Sequence, residues 1–91
     1  MACEQRIIRF SGDVQGVGFR YTACRVAAEY KVAGYVRNLP DGRVECLVEG
    51  EAEEIDAFVA NLAGRMEGYV HSQTHQAAPY TGQFSSFGVR F

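Results

Sequence analysis

Ninety-one residues, 47% of them hydrophobic and 22% charged, describe one folded domain over residues 1–91 with a two-layer core, and exclude both a disordered chain and a second domain. A net charge of −2 excludes a global pull towards nucleic acid or an acidic membrane surface. No apolar run approaches the length of a membrane span, the first residues lack a signal-peptide pattern, and Cys3, Cys24 and Cys46 are odd in number with no paired-motif spacing, so a cytoplasmic monomer with no membrane contact is expected.

Arg6 to Gly12 is β-branched and aromatic and stops at glycine, which predicts a first strand. From Tyr21 to about Val32, Ala23, Val26, Ala27 and Tyr30 recur at helical spacing before Gly34, which predicts a first helix. Gly34 to Leu39 reads as a strand, and Pro40-Asp41-Gly42 as the turn of a hairpin. In its second arm Val44, Cys46 and Val48 alternate with Glu45, Leu47 and Glu49, so the two glutamates are expected on a solvated face. Ala52 to Ala63 carries Ile55, Phe58, Val59 and Leu62 on one face, with acids in the first turn and Gly64 as the expected stop. Tyr69 to Thr74 is a weaker strand, Gln76 to Gln83 reads as loop, and Phe87, Val89 and Phe91 alternate in a last strand. The order predicts an α+β fold, a ferredoxin-like βαββαβ sandwich with a largely antiparallel sheet of four to five strands and two helices on one face. Its other face is free to meet water.

The stretch Val14-Gln15-Gly16-Val17-Gly18-Phe19-Arg20 joins the first strand to the first helix. Glycines at alternate positions let successive N–H groups point inward, the helix that follows adds the positive end of its dipole, and Arg20 brings a planar fork of donors matched to two oxyanion oxygens. Arg20 and Arg25 are the only charged side chains between Val14 and Ala28, which suits a small anionic ligand. A right-handed crossover sets the first two strands parallel with the hairpin strand between them, so Asn38 falls at the same end of the sheet as Arg20. Its carboxamide can orient a water; a turn asparagine ahead of Pro40-Asp41-Gly42 is an equally good reading.

Other patterns carry less. Cys3 and Arg9 have the spacing of a cysteine phosphatase loop without a glycine between them. Cys24 and Cys46 read as small core residues. His71 and His75 on a strand stand about 13 Å apart, too far to share a metal ion. Glu53, Glu54 and Asp56 read as a solvated helix face. No lysine follows the glycines as in a P-loop, the third glycine of a dinucleotide fingerprint is replaced by Tyr21, and glutamates occupy the strand where an RNA-reading domain needs aromatic and basic residues.

Gly12-Asp13-Val14-Gln15-Gly16-Val17-Gly18-Phe19-Arg20, together with Gly34-Tyr35-Val36-Arg37-Asn38-Leu39-Pro40-Asp41-Gly42, Val44-Glu45 and Glu49-Gly50, closely resembles the acylphosphatase family over nearly the whole chain. The resemblance implies hydrolysis of acyl phosphates to a carboxylate and inorganic phosphate, with no metal and no organic cofactor, and with small molecules rather than nucleic acid as partners. It implies a phosphate-binding loop of Gln15, Gly16, Val17, Gly18, Phe19 and Arg20. The implied catalytic residues are Arg20 on the phosphate and Asn38 on the attacking water. Asp13 stands where the family commonly has a basic residue, and Gly64-Arg65-Met66-Glu67-Gly68 lacks the Gly-Pro turn frequent after the second helix. The alternative function is a non-catalytic phosphate- or carbamoyl-phosphate-binding module, and a weaker one is a nucleic-acid-binding ferredoxin-like domain.

Overall fold

A computed structural model describes residues 2–91. The elements run β1 (Cys3–Gly12), α1 (Phe19–Ala27), β2 (Ala33–Asn38), β3 (Val44–Glu51), α2 (Ala52–Arg65), β4 (Val70–Ala78) and β5 (Phe87–Val89). They form a five-stranded sheet in the order β4-β1-β3-β2-β5. β3 pairs antiparallel with both β1 and β2, so those two strands run parallel to each other with β3 between them. β5 adds to β2 in parallel. This is the ferredoxin-like α+β arrangement expected, extended by an edge strand.

Strand alternation decides which side chains meet the helices. Ile8 lies opposite Cys46, Phe10 opposite Val44, and Val36 opposite Cys46, and all of these are fully buried. Ala23 and Val26 of α1 and Ile55, Phe58 and Leu62 of α2 close the core over them. The amphipathic stripes of both helices therefore cover one face of the sheet, since that is the only way to take them out of water.

The opposite face is not bare. β4 and β5 occupy the two edges of the sheet, so the connection 79–86 must cross four strand spacings, about 19 Å. It does so over the face away from the helices, with Phe84 6.1 Å from Tyr35, ring to ring. Glu49 anchors it: its carboxylate accepts from the Thr81 amide and hydroxyl at 2.9 and 2.8 Å, the Gly82 amide at 3.0 Å and Gln5 Nε2 at 2.8 Å. Glu45 lies further along the same face under Arg9 and Arg37, whose Nε atoms donate to its two oxygens at 3.0 and 2.8 Å.

Glu45 and Glu49 are consequently buried, at 4% and 3% exposure, where sequence alternation predicts solvated side chains. The alternation identified the correct face. The strap and Arg9, which cover that face, come from distant parts of the chain, whereas Arg37 is the cross-strand partner of Glu45 in the hairpin.

Several boundaries also differ from the expectation. α1 starts at Phe19 and ends at Ala27 rather than running from Tyr21 to about Val32. Beyond it the amides of Glu29 and Tyr30 donate to Val26 and Ala27, a tighter i→i+3 winding that still packs Tyr30 on the core. α2 runs through Gly64 to Arg65, because the Met66 amide donates to the Leu62 carbonyl at 3.0 Å and the Met66 side chain is buried. β4 extends to Ala78 in ladder with β1; its side chains are nearly all exposed, so main-chain pairing holds it and no hydrophobic alternation marks it. β5 stops at Val89, leaving Phe91 outside it. Among the described residues, no helix is long and apolar enough to cross a membrane.

Candidate active site

The turn between β1 and α1 is built by its glycines. Gly16 and Gly18 have φ of 78° and 77°, the left-handed region that side-chain-bearing residues enter only at a cost. Gly18 is also the N-cap of α1. A serine or aspartate in that position would use its own oxygen to satisfy the first amides of the helix. Glycine leaves them open, and the first turn holds no acidic residue to occupy the positive end of the dipole. Among the described residues, none of the amides of residues 15–19 donates to another backbone group or side chain.

The turn is braced from both sides. Val14 is buried and Phe19 inserts into the core 5.0 Å from Phe10, ring to ring. Gln15 Nε2 donates to the carbonyls of Leu39 at 2.8 Å and Arg43 at 2.9 Å, which ties the loop to the β2–β3 hairpin. Leu39 N–H itself donates to the Arg43 carbonyl at 2.8 Å, so the anchor point is an ordered turn.

Gly16, Gly18, Phe19, Arg20 and Asn38 line a single cavity of about 370 Å³. Gln15 and Val17 do not line it: the first is the brace, and the second packs against the core. Asn38 is the last residue of β2 and lies opposite Val44, on the helix-covered face. Arg20 is in the first turn of α1 and forms no ion pair among the described residues; its guanidinium lies 5.3 Å from the ring centre of Phe91. Open amides, a helix N-terminus and an unpaired guanidinium on one wall are complementary to an oxyanion, with a carboxamide available beside it.

Asp13 is 81% exposed, and His71 Nε2 stands 3.8 Å from its carboxylate. At this exposure solvent screens the charge of the acid. Tyr21, Cys24, Val89 and Phe91 complete the cavity wall. Their part in the site is not evident from sequence, although Cys24 lies one helical turn after Arg20 and so shares its face. Burial pushes the Cys24 thiol up, and does so more strongly for fully buried Cys46, which keeps both in the neutral form. Among the described residues, no three His, Cys, Asp or Glu side chains gather as a metal site.

A sandwich of this topology, with a glycine turn, Arg20 and Asn38 around one cavity at the end of its sheet, defines a small class of ferredoxin-like α+β protein. Comparison with known proteins narrows the class: the family described as acylphosphatase matches residues 6–89. The chain belongs to the acylphosphatase family. It is 43% identical over 82 residues to an acylphosphatase of Paenarthrobacter aurescens, covering 89% of this chain and 87% of that one. It is 44% identical over 80 residues to an acylphosphatase of Methylococcus capsulatus, covering 87% of each. The crystal structure of acylphosphatase from Bacillus subtilis superposes with a TM-score of 0.86 at 33% identity, covering 99% of this chain and 100% of that one.

Proposed function

We infer that the chain is an acylphosphatase whose phosphate-binding loop is Gln15 to Arg20 and whose attacking water is set by Asn38. The observation that carries this assignment is the convergence of Arg20, Asn38 and the open-amide loop on one cavity. The main-chain amides and the Arg20 fork hold the three phosphoryl oxygens of R–CO–O–PO₃²⁻. The Asn38 carbonyl oxygen accepts a hydrogen from water on the side away from the acyl oxygen, while its N–H₂ donates to a phosphoryl oxygen. The water oxygen bonds to phosphorus as the bond from phosphorus to the acyl oxygen breaks. The bonding pair leaves on the carboxylate, and the proton of the water passes to the phosphate product or to solvent.

Phosphoryl transfer asks mainly for position and charge stabilisation, and a carboxylate leaves without a general acid. The site therefore needs no strongly basic side chain. The reaction takes a small molecule, in keeping with a cavity of this size. Cys3, Cys24 and Cys46 are free thiols, which supports a reducing, cytoplasmic location for a monomeric single-domain enzyme acting apart from nucleic acid and membranes.

The test is hydrolysis of benzoyl phosphate with chelator present, compared with a stable phosphate monoester. Selective turnover of the anhydride is expected. Asn38→Ala should lower kcat by roughly 10²- to 10³-fold with inhibition by inorganic phosphate retained, whereas Arg20→Lys should weaken both, because an ammonium cannot reproduce the bidentate fork. Parent-rate turnover by Asn38→Ala would refute the role of that residue.

A further inference from the structure

The cavity that holds the open amides is polar on one wall only. Its other wall is Tyr21 and Cys24 of α1 with Val89 and Phe91 at the far edge of the sheet. Exposed large hydrophobic side chains are few among the described residues, and three of the five, Tyr21 at 65%, Val89 at 41% and Phe91 at 100% exposure, stand at this one cavity. Apolar groups concentrated beside a binding site, rather than scattered singly, mark a surface that a ligand covers. The Phe91 ring centre lies 5.3 Å from the Arg20 guanidinium, so this exposed ring stands beside the charged wall of the cavity.

A second cavity, of about 260 Å³, shares Cys24 with the first and lies between α1 and the β5 edge, lined by Ala27, Ala28, Tyr30, Val32, Ser86 and Phe87. From Arg20 to Ala27 the helix rises about 10 Å, and the two cavities flank it over that span. Among the described residues, Arg20 is the only charged side chain that lines either cavity.

We propose that the α1–β5 seam is an acyl-group subsite that selects substrates with uncharged, apolar acyl chains, with Tyr21 and Phe91 as its outer walls and Cys24 as its floor. The proposal rests on the phosphate being held by the loop, and it adds which end of the substrate lies where. With the phosphoryl group on Arg20 and the 15–19 amides, the acyl group has two directions to leave the site. One leads to water, and the other to the seam, where each methylene removes apolar wall from water. A second carboxylate on the acyl chain would lie among lining residues that carry no cation besides Arg20, the neighbouring Arg25 guanidinium being engaged with the Tyr21 hydroxyl at 3.0 Å and with its ring, and next to a thiol that burial keeps neutral, so charged acyl groups are disfavoured.

Acylphosphonates, which cannot be hydrolysed, separate binding from turnover. Calorimetric titration of the full chain with acetyl-, butanoyl- and hexanoylphosphonate should show affinity rising about two- to fourfold for each methylene. The 4-carboxybutanoyl analogue should bind no better than acetylphosphonate. In the double variant Tyr21→Ala/Phe91→Ala, whose side chains are exposed and outside the core, the hexanoyl-to-acetyl affinity ratio should fall towards one while the thermal unfolding midpoint stays near that of the parent. Equal affinity across the chain-length series, a carboxylated analogue as good as the hexanoyl one, or an unchanged ratio in the double variant would each overturn the subsite. If affinity rises with chain length while no acyl phosphate is hydrolysed, the subsite stands and the hydrolase assignment falls.

Discussion

Gln15 is an exposed side chain whose removal should be felt at the phosphate. Its Nε2 makes two bonds, at 2.8 Å to the Leu39 carbonyl and at 2.9 Å to the Arg43 carbonyl, and these are the side-chain bonds that join the loop to the β2–β3 turn that follows Asn38. A net hydrogen bond contributes about 0.5–1.5 kcal/mol, and exposure places each of these in the lower half of that range, so the pair contributes about 1–2 kcal/mol. In Gln15→Ala the loop loses that bias towards the cradle conformation. Phosphate affinity falls as the binding-competent fraction falls, and 1–2 kcal/mol corresponds to about 5- to 30-fold. Calorimetric titration with inorganic phosphate reads this directly, and kcat with saturating acyl phosphate should change little because the bound state restores the loop. Gln15→Glu should bind phosphate more weakly still, since a carboxylate would face two carbonyl oxygens and add a negative charge. An affinity for Gln15→Ala within twofold of the parent would refute the reasoning: the tether would then hold the fold without shaping the cradle.

Two glycines should respond differently to the same substitution. Gly18→Ala meets open space, so only the left-handed φ of 77° is strained, at about 1–2 kcal/mol; Gly12→Ala adds to its φ of 129° a Cβ only 2.3 Å from the Tyr69 carbonyl oxygen, which forces the β1–β4 bulge apart. Denaturant titration should show a distinctly larger loss for Gly12→Ala, and equal losses would contradict the geometry. Glu49 predicts an acid limb of stability. Burial pushes its carboxyl up, but bonds from the Thr81 amide and hydroxyl, Gln5 and the Gly82 amide outweigh this and hold it below the usual carboxylate range. Its contribution is therefore complete above the unfolded value, about 4.3, and is lost as pH falls through the lower folded value. Glu49→Gln should flatten stability against pH below about 4.3 relative to the parent, as followed by urea titration; an unaltered acid limb would assign that limb to other carboxylates.

Local chemistry made much of this protein legible in its residue order. Ile8 and Phe10, the stripe Ile55, Phe58 and Leu62, and the turn Pro40-Asp41-Gly42 each encode their conformation over a few neighbours, so the ladder and the helix-covered face follow from periodicity. The turn into α1 was legible for the same reason: Gly16, Gly18 and Arg20 lie within five residues of chain, and backbone freedom, helix dipole and side-chain charge act over that short span. Asn38 was half legible. Topology places it at the same end of the sheet as Arg20, where it lines the same cavity, and spacing does not separate a water-orienting amide from a turn residue.

Tertiary structure alone decided what lies across gaps in the sequence. Glu45 and Glu49 alternate as solvated residues do, yet the strap 79–86 and the guanidinium groups of Arg9 and Arg37 bury them, and no local pattern announces a cover that arrives from the opposite edge of the sheet. β4 carries no apolar alternation because its hold is main-chain pairing to β1, which is blind to side-chain identity. The apolar wall beside Arg20 likewise exists only because β5 adds to β2 and carries Val89 and Phe91 to a helix nearly seventy residues earlier in the chain. Sequence determines conformations that neighbouring residues impose on one another; the sheet order determines which distant surfaces share one volume, and in this protein that order brings Val89 and Phe91 into the cavity that Arg20 lines.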